Sequence, residues 1–345
     1  MRACVIHGAE DLRMEERELP RLSPGGLLIR IRAGGICGSD LHYYFEGKNG
    51  DFVIREPLIP GHEIAGEVVE VGKHVSRIRS GMRVAIHPGR NCGRCAACRA
   101  GRGNLCRNVW FMGSASRFPH MQGGFADYVT VEESQCHPVS DDLSFGMAAF
   151  AEPLAVALHA VERAGPVLGR SVLITGAGPI GLLVLLAARH AGAERICITD
   201  ILDGPLALAA SLGADATVNV ATSPADLNLE RQQTEEFEVA FEVSGNPAGL
   251  ATCLESVRPA AIVVQVGNLP AGRIPVTGNL VMSKEIDFRG SMRFDREFAH
   301  AVACLDRGLI DVAPLLTATV PASDAASAFS LARQRDRHAK VQISF

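Results

Sequence analysis

Cys92, Cys95, Cys98 and Cys106 fall within fifteen residues, spaced C-x2-C-x2-C-x7-C. Four thiolates in one short loop can close a tetrahedral shell around Zn²⁺, which takes sulfur ligands readily. Gly93, Gly101 and Gly103 supply the tight turns such a wrap requires. A closed four-sulfur shell has no open coordination position, so this zinc is expected to hold a loop in place. A disulfide cluster or a redox patch is the alternative reading of the same spacing.

A second set of ligand types is scattered along the N-terminal part. Cys37 opens Cys37-Gly-Ser39-Asp40-Leu-His42, and Gly61-His62-Glu63 precedes a strand-like run. Cys37 and His62 are a soft and a borderline metal ligand, with the Glu63 carboxylate beside one of them. Glu152 stands in the apolar stretch Phe150-Ala-Glu152-Pro153-Leu, where an unpartnered carboxylate is costly and a buried cation would remove the cost. A lone Cys or His is more often core or surface than ligand, so these residues gain meaning only as a set.

Gly176-Ala-Gly178-Pro179-Ile180-Gly181 follows the strand-like Ser171-Val-Leu-Ile-Thr and opens a helical pattern. Asp200 lies nineteen residues beyond Gly181, at the end of the next strand-like run. In that context the glycines allow a tight turn and a close approach of backbone to a pyrophosphate at the helix N-terminus. Asp200 would accept the adenosine ribose hydroxyls and repel a 2′-phosphate. No Arg or Lys occurs from Ile201 to Ala210 to offset it, so NAD is expected in preference to NADP. A Gly-rich turn in some other α/β protein is the alternative.

The elements that must position these residues change character along the chain. Leu28–Arg32, Glu67–Val71 and Asp127–Val131 alternate like half-buried strands broken by Gly and Pro. Met147–Arg163 has helical spacing, with Pro153 placed to begin or kink a helix. From Ser171 strands and helices alternate, through Glu238–Val243 and Ala261–Val266, which argues a parallel sheet covered by helices. The expected class is α/β, with a β-rich domain over 1–150, a dinucleotide-binding domain over 151–288, and a return over 289–345 that completes the first. Cys4, Cys136, Cys197, Cys253 and Cys304 lie in apolar segments and are expected in the core, and the charged run Arg333–Lys340 is expected to be a solvated helix end.

With 345 residues, 47% hydrophobic and 21% charged, the composition is that of a globular protein. A net charge of -4 gives no reason to expect nucleic acid or an anionic membrane surface. The N-terminus lacks an apolar signal-like core, and the apolar stretch Pro179–Ala188 is too short to span a bilayer. Ten cysteines with a thiolate loop fit a reducing compartment, so a cytoplasmic location is expected.

Taken together, Gly-Ile-Cys37-Gly-Ser-Asp-Leu-His42-Tyr43, Gly61-His62-Glu63, the four-cysteine loop, Ala151-Glu152-Pro153-Leu and Gly176–Gly181 occur in an order specific to one family. The whole chain resembles the zinc-containing medium-chain alcohol dehydrogenases, and within them the sorbitol and polyol dehydrogenase group. The resemblance implies a GroES-like catalytic domain, a Rossmann domain, one catalytic and one structural zinc per chain, and a homodimer or homotetramer. It implies Cys37 and His62 as catalytic ligands, with Glu63 or Glu152 as the third. Asp40 would orient the histidine, Ser39 would take the substrate proton, and His42 would relay it. Tyr43 and Arg293 match positions that contact the polyol, and Ile180, Val266, Gly267 and Met292 match positions lining the dinucleotide. Related mammalian enzymes carry Arg five positions after the ribose-binding Asp, where this chain has Pro205, and Phe294 replaces a tyrosine beside Arg293.

The stretches Leu41–Phe52 and Arg55–His62, with Asp200-Ile-Leu-Asp, are most similar to bacterial L-idonate 5-dehydrogenases. A sugar-acid substrate needs a cation for its carboxylate, and Arg55, Arg117, His120 and Arg293 are the candidates. Sorbitol or xylitol is the alternative substrate, L-threonine a third, and a non-catalytic NAD- and zinc-binding redox protein the alternative to an enzyme.

Overall fold

The structure is a computed structural model and describes Met1–Phe345. The chain divides into two compact units. One comprises Met1–Glu152, Phe298–Gln334 and Lys340–Phe345; the other comprises Pro153–Glu297 and Arg335–Ala339. The second unit thus runs beyond the expected end at 288, because the strand Asp287–Gly290 is hydrogen-bonded to Val257–Gln265 and carries the following loop with it.

The first unit is built on a seven-stranded sheet in the order Cys136–Pro138, Arg83–Ile86, Glu63–Val71, Gly26–Gly35, Lys340–Ser344, Leu316–Pro321, with Tyr128–Glu132 also paired to Gly26–Gly35. All pairings are antiparallel except the last, between Leu316–Pro321 and Lys340–Ser344. Ile29, Ile31, Ile64, Val84 and Ile343 point into one core, which accounts for the alternating pattern of these strands. Bulges between Leu28 and Ile29 and between Ile31 and Ala33 bend the longest strand. Its last residue, Gly35, pairs with Glu63. The chain leaves one strand at Ile36-Cys37 and enters its neighbour from Gly61-His62, so antiparallel register alone brings two distant ligand candidates side by side.

The second unit has a six-stranded parallel sheet, ordered Ala216–Asn219, Arg195–Asp200, Ser171–Thr175, Phe237–Glu242, Val257–Gln265, Asp287–Gly290. Its strands are continuous apolar runs because helices cover both faces. Chain order reverses at Ser171–Thr175, and ligands of open parallel sheets sit at the carboxyl ends of strands at such a point.

The helical run Phe145–Ala164 is long and apolar enough to cross a membrane by composition; 72% of its apolar window is buried inside the protein, as a core helix would be. A further expectation is corrected. Lys340 is not part of a solvated helix end: it begins a central strand and is 3% exposed. The five cysteines assigned to apolar segments are all buried.

His87 adds a pH-dependent element to the first unit. Its Nδ1 accepts the Gly89 N–H at 3.0 Å, and its ring lies against Phe298. Burial, and then His137, push the imidazole down to about 4. The unfolded chain therefore binds a proton near pH 6.5 that the folded chain refuses until about pH 4, so stability is lost as pH falls through that window. The loss from His87 should be about 2–3 kcal/mol between pH 7 and 4.5. Urea unfolding at both pH values checks this: His87→Gln should show a shallower loss than the parent, and equal slopes would assign the acid sensitivity elsewhere.

Candidate active site and metal centres

The thiolate loop is closed as its spacing suggests. The four Sγ atoms of Cys92, Cys95, Cys98 and Cys106 lie within 4.8 Å of one another, and all are free thiols. Cys95 Sγ is 3.4 Å from Cys98 Sγ and 3.9 Å from Cys106 Sγ. Tetrahedral zinc with about 2.3 Å bonds sets its sulfurs about 3.8 Å apart. The amides of Cys92 and Asn108 each donate to Cys106 Sγ at 3.3 Å. Hydrogen bonds from the Cys98 and Arg107 amides hold Cys95 down to about 6, while burial pushes Cys98 up to about 12. Donated hydrogen bonds favour thiolate, the form that binds metal, so these residues fit a closed zinc shell.

Cys37, His62 and Glu63 form a second group with ligand atoms within 4.8 Å of each other. Cys37 is the N-terminal cap of the helix Gly38–Glu46, and Asp40, in that helix's first turn, is completely buried. Asp40 accepts the Cys37 N–H at 2.9 Å and the Gly61 N–H at 3.1 Å, locking both ligand-bearing segments to one carboxylate. The expected hydrogen bond from His62 to Asp40 is absent: Nδ1 and Oδ1 are 3.8 Å apart, an ionic contact, because the carboxylate is engaged by amides. Burial pushes the His62 imidazole down, but Asp40, Cys37 and Glu152 outweigh it and hold it well above its ordinary value. This pocket of buried anions around one imidazole is built for a cation, and Zn²⁺ suits its sulfur, nitrogen and oxygen donors.

The residue that sequence reasoning missed is Lys340. Its Nζ donates to both Glu63 oxygens, at 2.8 and 2.7 Å, and to the Ile36 carbonyl at 3.2 Å. Glu63 Oε2 also lies against Gly35, where a Cβ would meet it at 2.1 Å. Glu63 is therefore held by a buried ammonium over a glycine, while Glu152, 6% exposed, acts electrostatically on both His62 and Lys340.

Ser39 is half-buried in the first turn of the Cys37-capped helix. His42, one turn on, is exposed, and its Nδ1 lies 2.7 Å from Glu46 Oε1. Tyr43 is 2% exposed within the core, and its hydroxyl accepts the Ala115 N–H at 3.0 Å. His120 is buried; its Nε2 accepts the Arg55 N–H at 2.9 Å and its Nδ1 lies 2.7 Å from the Arg117 carbonyl oxygen, so it ties the exposed Arg55 and Arg117 together.

In the second unit Gly178 caps the helix Pro179–His190, and no side chain blocks its first amides. Gly176 has φ 95°, and a Cβ there would lie 2.8 Å from the Ser244 backbone; one on Gly181 would lie 1.9 Å from the Gly176 carbonyl oxygen. Asp200 accepts the Ala177 N–H at 2.7 Å and those of Ile201 and Leu202 at 2.7 and 3.1 Å. Val266 and Gly267 follow the strand ending at Gln265, and Met292 and Arg293 follow the one ending at Gly290, so all lie on the carboxyl edge of the sheet. Arg293 has φ 52°. Behind this edge the fully buried Glu242 accepts from Ser244, Gly245 and Gln265, fixing the two loops; it was not singled out because one acid at a strand end carries no pattern. A tight glycine turn, open helix amides and a fixed carboxylate fit a dinucleotide.

Comparison with known proteins agrees with this arrangement. Residues 23–141 match the alcohol dehydrogenase GroES-like domain, and residues 179–307 match the zinc-binding dehydrogenase domain. The chain is 41% identical to the L-idonate 5-dehydrogenase (NAD(P)(+)) of Escherichia coli K12, over 99% of this chain and 98% of that one. It is 36% identical to a sorbitol dehydrogenase of Bacillus subtilis, over 92% and 89%. The crystal structure of the E. coli L-idonate 5-dehydrogenase superimposes with a TM-score of 0.95, covering 100% of this chain and 98% of that one at 40% identity. The chain belongs to the zinc-binding medium-chain alcohol dehydrogenases, with a GroES-like and a Rossmann domain, and is an alcohol dehydrogenase.

Proposed function

We propose that the chain oxidises the secondary alcohol at carbon 5 of L-idonate to 5-keto-D-gluconate, with NAD as hydride acceptor. The observation that carries this reading is 41% identity with an L-idonate 5-dehydrogenase over 99% of the chain, in a sequence that holds Cys37, Ser39, His62 and two acids beside them. Cys37, His62 and a carboxylate would hold the catalytic zinc, and Cys92, Cys95, Cys98 and Cys106 the structural one. Because Lys340 occupies both oxygens of Glu63, we assign Glu152 as the resting carboxylate ligand. When bound, the zinc makes the substrate hydroxyl acidic near neutral pH and the nicotinamide takes the hydride. The Ser39 hydroxyl accepts the departing proton, and His42, with Glu46 beside it, passes it to solvent. Asp40 fixes the backbone on both sides of the site. Gly176, Gly178, Pro179, Ile180 and Gly181 would receive the pyrophosphate, Asp200 the ribose, and Val266, Gly267 and Met292 the nicotinamide half.

The substrate carboxylate needs a guanidinium, and Arg55 with Arg117, joined through His120, or Arg293 on the second unit would provide it. A charge-assisted hydrogen bond contributes about 1.5–3 kcal/mol, so L-idonate should exceed D-sorbitol in kcat/KM by roughly 10–100-fold. NADH absorbance with both substrates and xylitol checks this, with Arg→Ala variants at 55, 117 and 293 locating the anchor. Preference for sorbitol would overturn the sugar-acid assignment and favour a polyol dehydrogenase. We further propose a cytoplasmic homodimer or homotetramer, supported by the edge strand Asp287–Gly290, whose Phe288 is 44% exposed.

A further inference from the structure

The strand Asp287–Gly290 runs into the turn 291–296, which carries Met292 and Arg293, the residues read as meeting the nicotinamide half and the substrate. The middle of this turn has a backbone shape that disfavours a side chain. Arg293 has φ 52°, in the left-handed region that costs a non-glycine residue free energy and persists where the surroundings over-determine it. Phe294 beside it is buried, whereas Met292 is 48% exposed, so the turn roots one side chain and leaves the other open.

The groups that fix the turn come from one helix, and all lie in the Pro153–Glu297 unit. On the helix Ala151–Ala164, His159, Glu162 and Arg163 share a face, at spacings of three and four. Arg163 Nε donates to the Gly290 carbonyl at 2.9 Å, and the Ser291 N–H donates to the Gln265 carbonyl at 2.9 Å, which holds the start of the turn. Glu162 pairs with Arg296, whose exposure makes that contact weak. Glu297 closes the other end. One of its oxygens accepts the Asp295 N–H at 2.7 Å, and the other accepts the His159 Nδ1–H at 2.9 Å. Glu297 is buried and the His159 side chain only 12% exposed, so this pair escapes the screening that weakens surface contacts. Burial pushes the Glu297 carboxyl up, but hydrogen bonds, first from His159 and then from the Asp295 amide, outweigh it and bring it down to about 2. The carboxylate is therefore the form that holds the turn.

We propose that His159 and Glu297 are positioning residues for the reaction: the pair clamps the turn 291–296 so that Met292 is presented to the nicotinamide half and Arg293 to the alcohol. A turn already fixed needs no ordering when its ligands bind, so a residue acting through others changes both affinity and rate. The proposal rests on the reading of Met292 and Arg293 as site residues.

NADH affinity by fluorescence, alcohol kinetics and zinc content, measured on the full-length zinc-loaded enzyme, test the clamp. The alcohol is L-idonate or D-sorbitol, whichever the parent oxidises faster. His159→Ala and Glu297→Ala should each raise the NADH dissociation constant at least fivefold and lower kcat/KM at least tenfold, with the zinc content of the parent. The double variant should be no worse than the worse single, because either change opens the same clamp. His159→Asn keeps a donor near the place of Nδ1 and should restore most of the loss. A role confined to stability predicts a lower urea midpoint with NADH affinity and KM unchanged per folded molecule; that result overturns the proposal, as does a loss of activity that follows a loss of zinc. Met292→Ala and Arg293→Ala test the underlying reading. If neither changes NADH affinity or the KM of the alcohol, the turn is not part of the site and both readings fall. If either does and the pair variants do not, the clamp alone falls.

Discussion

Replacing Cys37 with serine should lower kcat/KM by at least about 10³ and reduce the zinc content from the two per chain proposed above to one. Serine is a favoured helix cap, so the helix Gly38–Glu46 should keep its start and the backbone hydrogen bonds to Asp40 should survive. What changes is the donor: a hydroxyl is a far weaker zinc ligand than a thiolate. Loss of about 4 kcal/mol of charge stabilisation at the reacting oxygen corresponds to that factor. Metal analysis alongside steady-state kinetics decides the matter. Activity retained with one zinc would mean the catalytic metal site is misassigned, and activity lost with two zincs bound would give Cys37 another role. Cys95→Ser is the complementary variant. It should lose the other zinc and thermal stability, with turnover per folded molecule preserved, since a closed shell does no chemistry.

How much of this was legible in the sequence depended on how far apart the cooperating residues lie. The four cysteines and the turn Gly176–Gly181 are local, so spacing alone carries their geometry, and the structure forms both. Cys37 and His62 needed the pairing of Gly35 with Glu63, which no local pattern encodes, and there the family resemblance supplied what spacing could not. Lys340 shows the limit most sharply. In sequence it ends a charged run; in the fold it starts a central strand between Gly26–Gly35 and Leu316–Pro321. Within that run Arg335–Ala339 joins the other unit, so one stretch of charges serves two places. Backbone partners are equally hidden from a sequence pattern: the Tyr43 hydroxyl meets the Ala115 amide, and the His120 ring lies between the Arg55 amide and the Arg117 carbonyl.

Lys340→Met should destabilise the chelated protein by about 3–5 kcal/mol, the cost of leaving one member of a buried ion pair without its partner. Lys340 and Glu63 are 3% and 1% exposed, and three hydrogen bonds hold the ammonium. Burial works against the charged lysine, but Glu63, Cys37 and Glu152 together keep its pKa raised, so the ammonium is the form that must be replaced. Replacing both partners by apolar groups of similar volume is far less damaging than removing one. Lys340→Met/Glu63→Leu should therefore recover most of the loss in urea unfolding. Zinc adds a second discrimination. In the single variant the freed Glu63 carboxylate stands within the Cys37–His62 group and can complete a ligand set, so added zinc should raise the midpoint more than it does for the parent. In the double variant that extra response should vanish. A single variant as stable as the parent would show that the pair does not hold Glu63, and the assignment of the resting carboxylate to Glu152 would lose its support.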